Sequence, residues 1–159
     1  MGSKNKRKRF LESDTYGNVF LPTREEVVGN EFPLKGKWNS EFFQNDNPIV
    51  VELGCGKGEY SVGLAERFPD KNFVGIDIKG ARFWRGAKTA TDTDLNNVAF
   101  VRTQIEIIDG IFAEHEVSEF WITFPDPQIK YKRTKHRMTN TEFLQLYKRI
   151  LKPDGVMNL

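Results

Sequence analysis

The segment of residues 51–58 contains the residue types and spacing that say most about chemistry. A β-branched run ends in an acid, Glu52, and an alternating series of glycines follows. These glycines are Gly54, Gly56 and Gly58. Because glycine accepts positive φ and lets a ligand touch the backbone, the pattern predicts a buried strand that ends in a loop with few side chains. Apolar residues at helical spacing follow, so the loop should open a helix and form a cradle of nucleotide size.

The glycine spacing excludes two common phosphate-binding loops. Dinucleotide-binding folds use G-x-G-x-x-G, and phosphate-binding loops use G-x-x-x-x-G-K-[ST]. Here the third glycine comes one residue early, and no Ser or Thr directly follows Lys57. Glu52, two residues before the first glycine, would repel a pyrophosphate and attract a cationic ligand. The alternative is a glycine-rich turn that binds no ligand, since short motifs also occur by chance.

Length and composition restrict the class of protein. The chain has 159 residues with 13 Phe and 3 Trp, which predicts one globular domain with a hydrophobic core. It lacks an apolar run of the roughly 20 residues that cross a bilayer, and its basic start lacks the apolar part of a signal peptide. With Cys55 as its single cysteine, it can form neither an internal disulfide nor a multi-cysteine metal site. We expect a cytoplasmic protein with no metal and no membrane contact.

Basic residues are concentrated in two stretches that contain no acid. Residues 4–9 and residues 130–137 hold ten of the 24 basic residues, which leaves 14 basic against 22 acidic residues in the rest of the chain. Such clusters neutralise backbone phosphates, so the two stretches predict a nucleic acid partner. The alternative is a disordered tail together with a solvated loop.

Strand and helix patterns alternate from residue 49 onward. The predicted strands are residues 49–53, 72–78, 98–102, 119–124 and 156–159, and the predicted helices are residues 59–68, 81–89, 106–114 and 141–151. This alternation predicts an α/β fold with a doubly wound parallel sheet in the strand order 3-2-1-4-5. Ligands bind at the carboxyl ends of strands one and two in such a sheet.

The first 48 residues are predicted to precede this ligand-binding domain, which spans residues 49–159. Residues 1–10 read as a flexible basic arm. Residues 11–48 contain scattered Gly, Asn and Pro and read as an extension with one short helical pattern near residues 23–28. We expect this N-terminal extension to pack on the domain through Phe20, Phe32 and Trp38.

Two polar residues follow the second and third predicted strands. Asp77 ends strand two about 20 residues beyond the glycines, where an acid accepts hydrogen bonds from ribose hydroxyls. Gln104 follows strand three, and its amide can offer a donor and an acceptor to an adenine edge. The alternatives are an aspartate in a turn for Asp77 and a helix-capping segment for Gln104.

A proline-flanked acid follows strand four. Pro125 and Pro127 fix φ on either side of Asp126, which holds one carboxylate at the carboxyl end of the sheet. Basic residues come next, at Lys130, Lys132, Arg133, Lys135 and Arg137. A fixed acid beside a cationic loop suits an anionic polymer whose reacting base approaches a cofactor. The alternative is a turn stiffened by proline.

Three segments together resemble the bacterial tRNA (guanine-N7-)-methyltransferases, a family of class I S-adenosylmethionine-dependent methyltransferases. The segments are Glu52-Leu53-Gly54-x-Gly56-x-Gly58, Gly75-Ile76-Asp77-Ile78-Lys79-Gly80 and Phe124-Pro125-Asp126-Pro127-x-x-Lys130 with the basic residues after it. The resemblance runs from about residue 49 to residue 159. It implies a Rossmann-like fold and methyl transfer from S-adenosylmethionine to N7 of a guanine in the tRNA variable loop.

The resemblance also assigns roles to residues. Glu52, Asp77, Gln104 and Asp126 would line the cofactor site, together with the three loop glycines. Asp126 would also be the catalytic residue. Lys130 would contact the tRNA substrate, and the basic residues that follow it would extend this contact.

The sequence departs from the family pattern in two places. Gln128 stands where the family usually has tryptophan. The family also continues beyond strand five with a Thr-Asp pair and two further strands, so we expect the last strands to be missing and the exposed sheet edge to support a homodimer. Two alternatives stay open: a class I methyltransferase with another substrate, and a truncated, non-catalytic remnant that binds cofactor or RNA.

Overall fold

The computed structural model describes residues 3–123 and 137–159. The elements in chain order are α1 (Ser3–Ser13), β1 (Val19–Phe20), α2 (Arg24–Val28), a π-helical turn (Trp38–Phe43), β2 (Ile49–Leu53), α3 (Glu59–Arg67), β3 (Asn72–Asp77), α4 (Trp84–Asp92), β4 (Val98–Arg102), a 3₁₀ helix (Ile105–Gly110), β5 (Val117–Ile122), α5 (Thr141–Ile150) and β6 (Leu151–Asn158). Strands and helices alternate from β2 onward, as the sequence pattern predicts.

The strands form one parallel sheet in the order β1-β4-β3-β2-β5-β6. The predicted order of five strands, 3-2-1-4-5, is confirmed in β4-β3-β2-β5-β6. Every residue of β2 and β3 is buried, which agrees with a sheet covered on both faces. The difference is β1, an extra edge strand from the N-terminal extension that pairs Val19 with Phe100. Two residues are too few to show a periodic pattern, so the sequence could not predict it.

Several predicted boundaries are shifted by local contacts. The predicted helix 81–89 begins later, at Trp84, because the Arg82 N–H donates to the Lys79 carbonyl (2.9 Å) and closes a turn before it. The predicted helix 106–114 is the shorter 3₁₀ helix. Strand five, predicted at 156–159, begins at Leu151 directly after α5, and the register shifts between the pairs Val117–Leu151 and Glu119–Val156.

The prediction of a flexible basic arm is wrong, because residues from Ser3 onward form helix α1. One face of this helix packs against the domain. The guanidinium of Arg9 lies 4.7 Å from the ring centre of Trp84, and Phe10 lies 5.6 Å below the guanidinium of Arg102. Ser13 is fully buried. Cation–π contacts and side-chain burial therefore order a segment whose composition alone is typical of a solvated tail.

The N-terminal extension packs on the sheet through aromatic side chains, and the predicted contact through Phe20, Phe32 and Trp38 is confirmed. The ring centres of Phe20 and Trp38 are 5.4 Å apart, and those of Phe32 and Trp38 are 5.9 Å apart. Trp38 is completely buried, stacks on Phe112 and donates its indole N–H to the Ile111 carbonyl (3.0 Å). The extension is therefore part of the hydrophobic core.

Two further observations concern surfaces. Among the described helices, none combines the length and the apolar character that a membrane span needs. Strand β6 pairs with β5 and ends the sheet among the described strands. Pairing of this edge with a second copy stays a prediction.

Candidate functional site

The loop between β2 and α3 is here called the glycine loop (residues 54–58). At three positions it has a backbone conformation that residues with a side chain rarely adopt. Its three glycines all have positive φ: Gly54 at 71°, Gly56 at 56° and Gly58 at 78°. The Cys55 N–H donates to the Ile76 carbonyl, and the Gly58 N–H donates to the Cys55 carbonyl, both at 2.9 Å. The loop is thus tied to strand β3 and closed by its own turn.

Close packing behind the glycine loop also requires glycine. A Cβ atom on Gly58 would lie 2.6 Å from Cε1 of Phe100, and one on Gly86 would lie 2.9 Å from the Lys57 carbonyl oxygen. The Gly86 N–H donates to that same carbonyl (3.0 Å), so helix α4 supports the loop from behind. Sequence reasoning missed Gly86, although a glycine inside a helical pattern often marks close packing.

Glu52 is a buried carboxylate at the end of strand β2, 4% exposed. Its two oxygens accept hydrogen bonds from the hydroxyls of Ser61 (2.6 Å) and Thr123 (2.7 Å). Burial raises the pKa of Glu52 above its ordinary value, and the hydrogen bonds from the two hydroxyls oppose this rise. The site therefore holds an acidic group whose charged form gains from a cation nearby. Sequence reasoning missed Ser61 and Thr123.

Asp77, also buried, connects strand β3 to the glycine loop. One of its oxygens accepts from the Gly56 N–H (2.9 Å), and the other accepts from the Lys79 N–H (2.8 Å). A carboxylate offers about four acceptor positions, so two remain for hydroxyl groups of a ligand. Asp77 both fixes the loop and keeps acceptor capacity, which is more than an aspartate in a plain turn provides.

Gln104 occupies the N-cap position of the 3₁₀ helix, yet its side chain makes no capping hydrogen bond. Its amide oxygen instead accepts a hydrogen bond from the guanidinium of Arg24, at the start of α2. The side chain is therefore not used as a cap, which was the alternative to a role in ligand binding. Sequence reasoning also missed Arg24, since its partner is 80 positions away.

These side chains line one cavity of about 710 Å³ at the carboxyl ends of the central strands. Its described lining is Glu52, Gly54, Cys55, Gly56, Lys57, Glu59, Tyr60, Asp77, Ile78, Lys79, Arg82, Thr103, Gln104, Ile105, Glu106, Thr123, Met138 and Phe143. Five of the predicted cofactor-binding residues therefore meet at one place. Gly58 is not part of this lining, and its α-carbon instead packs close to the Phe100 ring and to Gly86. Two buried acids and a loop with three glycines fit a nucleoside that carries positive charge.

The remaining predicted site residues follow strand β5 in the sequence. Asp126, Lys130, Lys132, Arg133 and Lys135 lie outside the described residues. Arg137 is described, and its carbonyl accepts a hydrogen bond from the Asn140 N–H (3.0 Å) just before α5. Within the described ranges, no group of three or more His, Cys, Asp or Glu side chains could hold a metal ion.

The sheet order and the cavity define a class I methyltransferase fold, and solved structures share it. The chain superposes on the antibiotic-resistance methyltransferase Kmr with a TM-score of 0.60 at 17% identity, covering 76% of this chain and 62% of Kmr. It superposes on the 16S rRNA (adenine(1408)-N(1))-methyltransferase of Catenulisporales acidiphilia, solved with its cosubstrate S-adenosylmethionine, with a TM-score of 0.61 at 17% identity, covering 77% and 60%. At these identities, the likeness concerns the fold alone.

Sequence comparison identifies the family. The profile of a family described as "Putative methyltransferase" matches residues 46–159. The chain is 69% identical to a tRNA (guanine-N(7)-)-methyltransferase of Christiangramia forsetii over its whole length, and 54% identical to one of Bacteroides fragilis over 156 residues. It belongs to the tRNA (guanine-N7-)-methyltransferase family. It spans 71% of the first relative and 61% of the second.

Proposed function

We propose that this chain binds S-adenosylmethionine in the cavity beside the glycine loop and forms the cofactor-binding part of a tRNA (guanine-N7-)-methyltransferase. The observation that carries the proposal is the pair of buried acids, Glu52 and Asp77, beside a loop in which three of five residues are glycine with positive φ. Glu52 suits the cationic amino acid part of this cofactor, and the free acceptor positions of Asp77 suit its ribose hydroxyls.

The proposed chemistry needs little proton transfer. When bound, S-adenosylmethionine supplies an electrophilic methyl group on a sulfonium. Guanine N7 has a lone pair in the ring plane and no proton, so the protein needs no general base at the start and acts mainly by holding the two reactants in line. We assign Asp126 to stabilising the positive charge that develops on guanine, or to holding its N1–H and N2–H₂ edge.

A tRNA substrate is supported by the relatives' names and by the charge of helix α1. Lys4, Arg7 and Lys8 recur at helical spacing in α1 and are exposed. None of these three residues takes part in the ion pairs found among the described residues. With the basic residues 130–137, they offer cations for a phosphate backbone. A tRNA substrate is also consistent with the prediction of a cytoplasmic protein.

Two measurements on the chain test the proposal. Calorimetric titration with S-adenosylmethionine should show one site, and Glu52→Gln should weaken it. Transfer of a labelled methyl group to unmodified tRNA should follow, and Asp126→Ala should abolish transfer while the cofactor still binds. Asp154→Ala, on the exposed part of β6, is the matched control and should behave as the parent. Absence of cofactor binding, or full activity of Asp126→Ala, would contradict the respective assignment.

A second candidate is a chain that binds the cofactor without transferring the methyl group. It needs only the cavity beside the glycine loop, which the described residues form. Binding by calorimetry with no labelled tRNA product would support it. A methyltransferase for another substrate is a third reading, and tRNA affinity that does not change with salt concentration would favour it.

A further inference from the structure

We infer that Arg24 is a positioning residue that fixes the orientation of the Gln104 amide and thereby makes the cavity select a 6-aminopurine over a 6-oxopurine. The inference rests on the proposed function, because it concerns the nucleobase of the proposed cofactor. If so, a residue of the N-terminal extension contributes to the choice of purine base.

The chemistry of the two side chains fixes which amide atom faces Arg24. A guanidinium group has five N–H donors and no acceptor. The Arg24 guanidinium donates to Oε1 of Gln104. If the amide rotated by half a turn, its NH₂ group would face another donor, and both groups would lose a hydrogen bond. The presence of Arg24 therefore favours one of two amide orientations that an isolated glutamine would adopt about equally.

Arg24 itself is held in place by the structure of α2. A capping box starts this helix: the Thr23 hydroxyl accepts from the Glu26 N–H (3.2 Å), and the Glu26 carboxylate accepts from the Thr23 N–H (2.6 Å). Val27 is 1% exposed and packs so closely on the 3₁₀ helix that a Cβ on Gly110 would lie 2.2 Å from its carbonyl oxygen. The helix that carries Arg24 is thus seated on the 3₁₀ helix that begins directly after Gln104.

Gln104 stands between Arg24 and the large cavity. A smaller cavity of about 180 Å³ is lined by Arg24, and it shares Ile78, Thr103 and Gln104 with the large one. The fixed amide keeps one lone pair on its oxygen and two donors on its nitrogen for a ligand in the large cavity. Ile78 and Ile105 give this part of the large cavity apolar side chains for a ring to contact.

This fixed pattern matches one class of purine. Adenine places a donor, its 6-amino group, beside an acceptor, N1, so it meets the amide oxygen and the amide NH₂ in the right order. Hypoxanthine places an acceptor, O6, beside a donor, N1–H, which is the reverse order. To bind it equally well, Gln104 would have to rotate and place its NH₂ group against the Arg24 guanidinium.

The test compares S-adenosylhomocysteine with S-inosylhomocysteine, which differ at these two positions of the base. Calorimetric titration of the unchanged chain should give at least about tenfold tighter binding of the adenosine compound, the effect of one or two hydrogen bonds at a partly exposed site. In Arg24→Met the ratio should fall to about twofold or less, while affinity for the adenosine compound changes little. Arg24→Lys, which keeps a donor, should preserve most of the ratio. Arg67→Met, which removes an exposed arginine elsewhere, should leave it unchanged.

The outcomes separate this inference from the proposed function. If the unchanged chain binds neither compound, the proposed cofactor site is wrong and the inference falls with it. If it binds the adenosine compound but Arg24→Met keeps the full ratio, the site stands and the inference is overturned. Equal weakening of both compounds in Arg24→Met would also overturn it, because that result indicates only a loosened α2.

Discussion

The glycine loop lines the large cavity directly, whereas the N-terminal extension contacts only the lining residue Gln104, and different contacts hold the two regions in place. The loop is shaped over five residues by three glycines with positive φ and by hydrogen bonds to its neighbour strand. The extension is held by aromatic rings, above all Trp38, and contacts the cavity-lining Gln104 through Arg24. Changes in the loop should therefore act on the site as well as on stability, whereas most changes in the extension should act on stability alone.

The largest effect expected in the extension follows from Trp38→Ala. Removing a fully buried indole and its hydrogen bond to Ile111 should lower the free energy of unfolding by about 3–5 kcal/mol, a large part of the total for a domain of this size. Urea denaturation monitored by far-ultraviolet circular dichroism, rather than by tryptophan fluorescence, measures this change in the free energy of unfolding. Phe68→Ala, at a ring that is 37% exposed, is the control and should cost about 1 kcal/mol or less.

The prediction that the extension unfolds together with the rest of the domain would be contradicted if Trp38→Ala unfolded only the extension. In that case a small early transition would precede an unchanged main one. A single transition at lower urea concentration is the expected result, because the rings of the extension belong to the same cluster as residues of β2, β3 and β4.

In the glycine loop, Gly58→Ala should cost about 2–4 kcal/mol. The new Cβ would lie 2.6 Å from Phe100, and φ of 78° is unfavourable for alanine, so overpacking and backbone strain add. Gly63→Ala is the matched control, since nothing lies within 4 Å of its Cβ position inside α3. This control should raise stability by roughly 0.5–1 kcal/mol. Equal effects of the two substitutions in urea denaturation would contradict the described loop geometry.

Much of the site could be predicted because its signals are local. The glycine spacing, the acid before it and Asp77 at the end of a continuous Phe-Val-Gly-Ile run can all be recognised within a few residues, and the bounds of β2 and β4 agree with the prediction. The missed features depend on distant partners. Ser61 and Thr123 meet Glu52 across 9 and 71 positions, and α1 is ordered by Trp84 on another helix. Only the folded chain brings such pairs together.

Glu52→Gln should separate binding from stability. Loss of a charge that faces a cationic ligand should lower the affinity for S-adenosylmethionine by about 10- to 100-fold. An effect of this size is typical of a hydrogen bond to a charged group. Since the folded pKa of Glu52 is raised by burial, its contribution to stability is present below its ordinary pKa of 4.5 and is lost as pH rises through the raised value. The stability of Glu52→Gln relative to the unchanged chain should therefore increase with pH.

The carboxyl group of Glu52 should also make cofactor binding depend on pH. As pH falls through the raised pKa of Glu52, the carboxylate becomes neutral and its attraction for the cationic cofactor is lost. Affinity measured by calorimetry should fall with pH in the unchanged chain and should fall less in Glu52→Gln. Parallel pH profiles of the two proteins would remove Glu52 from cofactor recognition.

The smallest effect expected is that of Thr23→Ala at the start of α2. The substitution removes one half of the capping box and should lower the free energy of unfolding by about 1 kcal/mol. It leaves Val27 buried against Gly110, and that contact fixes where α2 lies on the 3₁₀ helix. The preference for the adenosine compound over the inosine compound should therefore survive in Thr23→Ala, although it is lost in Arg24→Met. If Thr23→Ala lost the preference as well, the position of Arg24 would depend on the cap, and the extension would control the site through α2 as a whole.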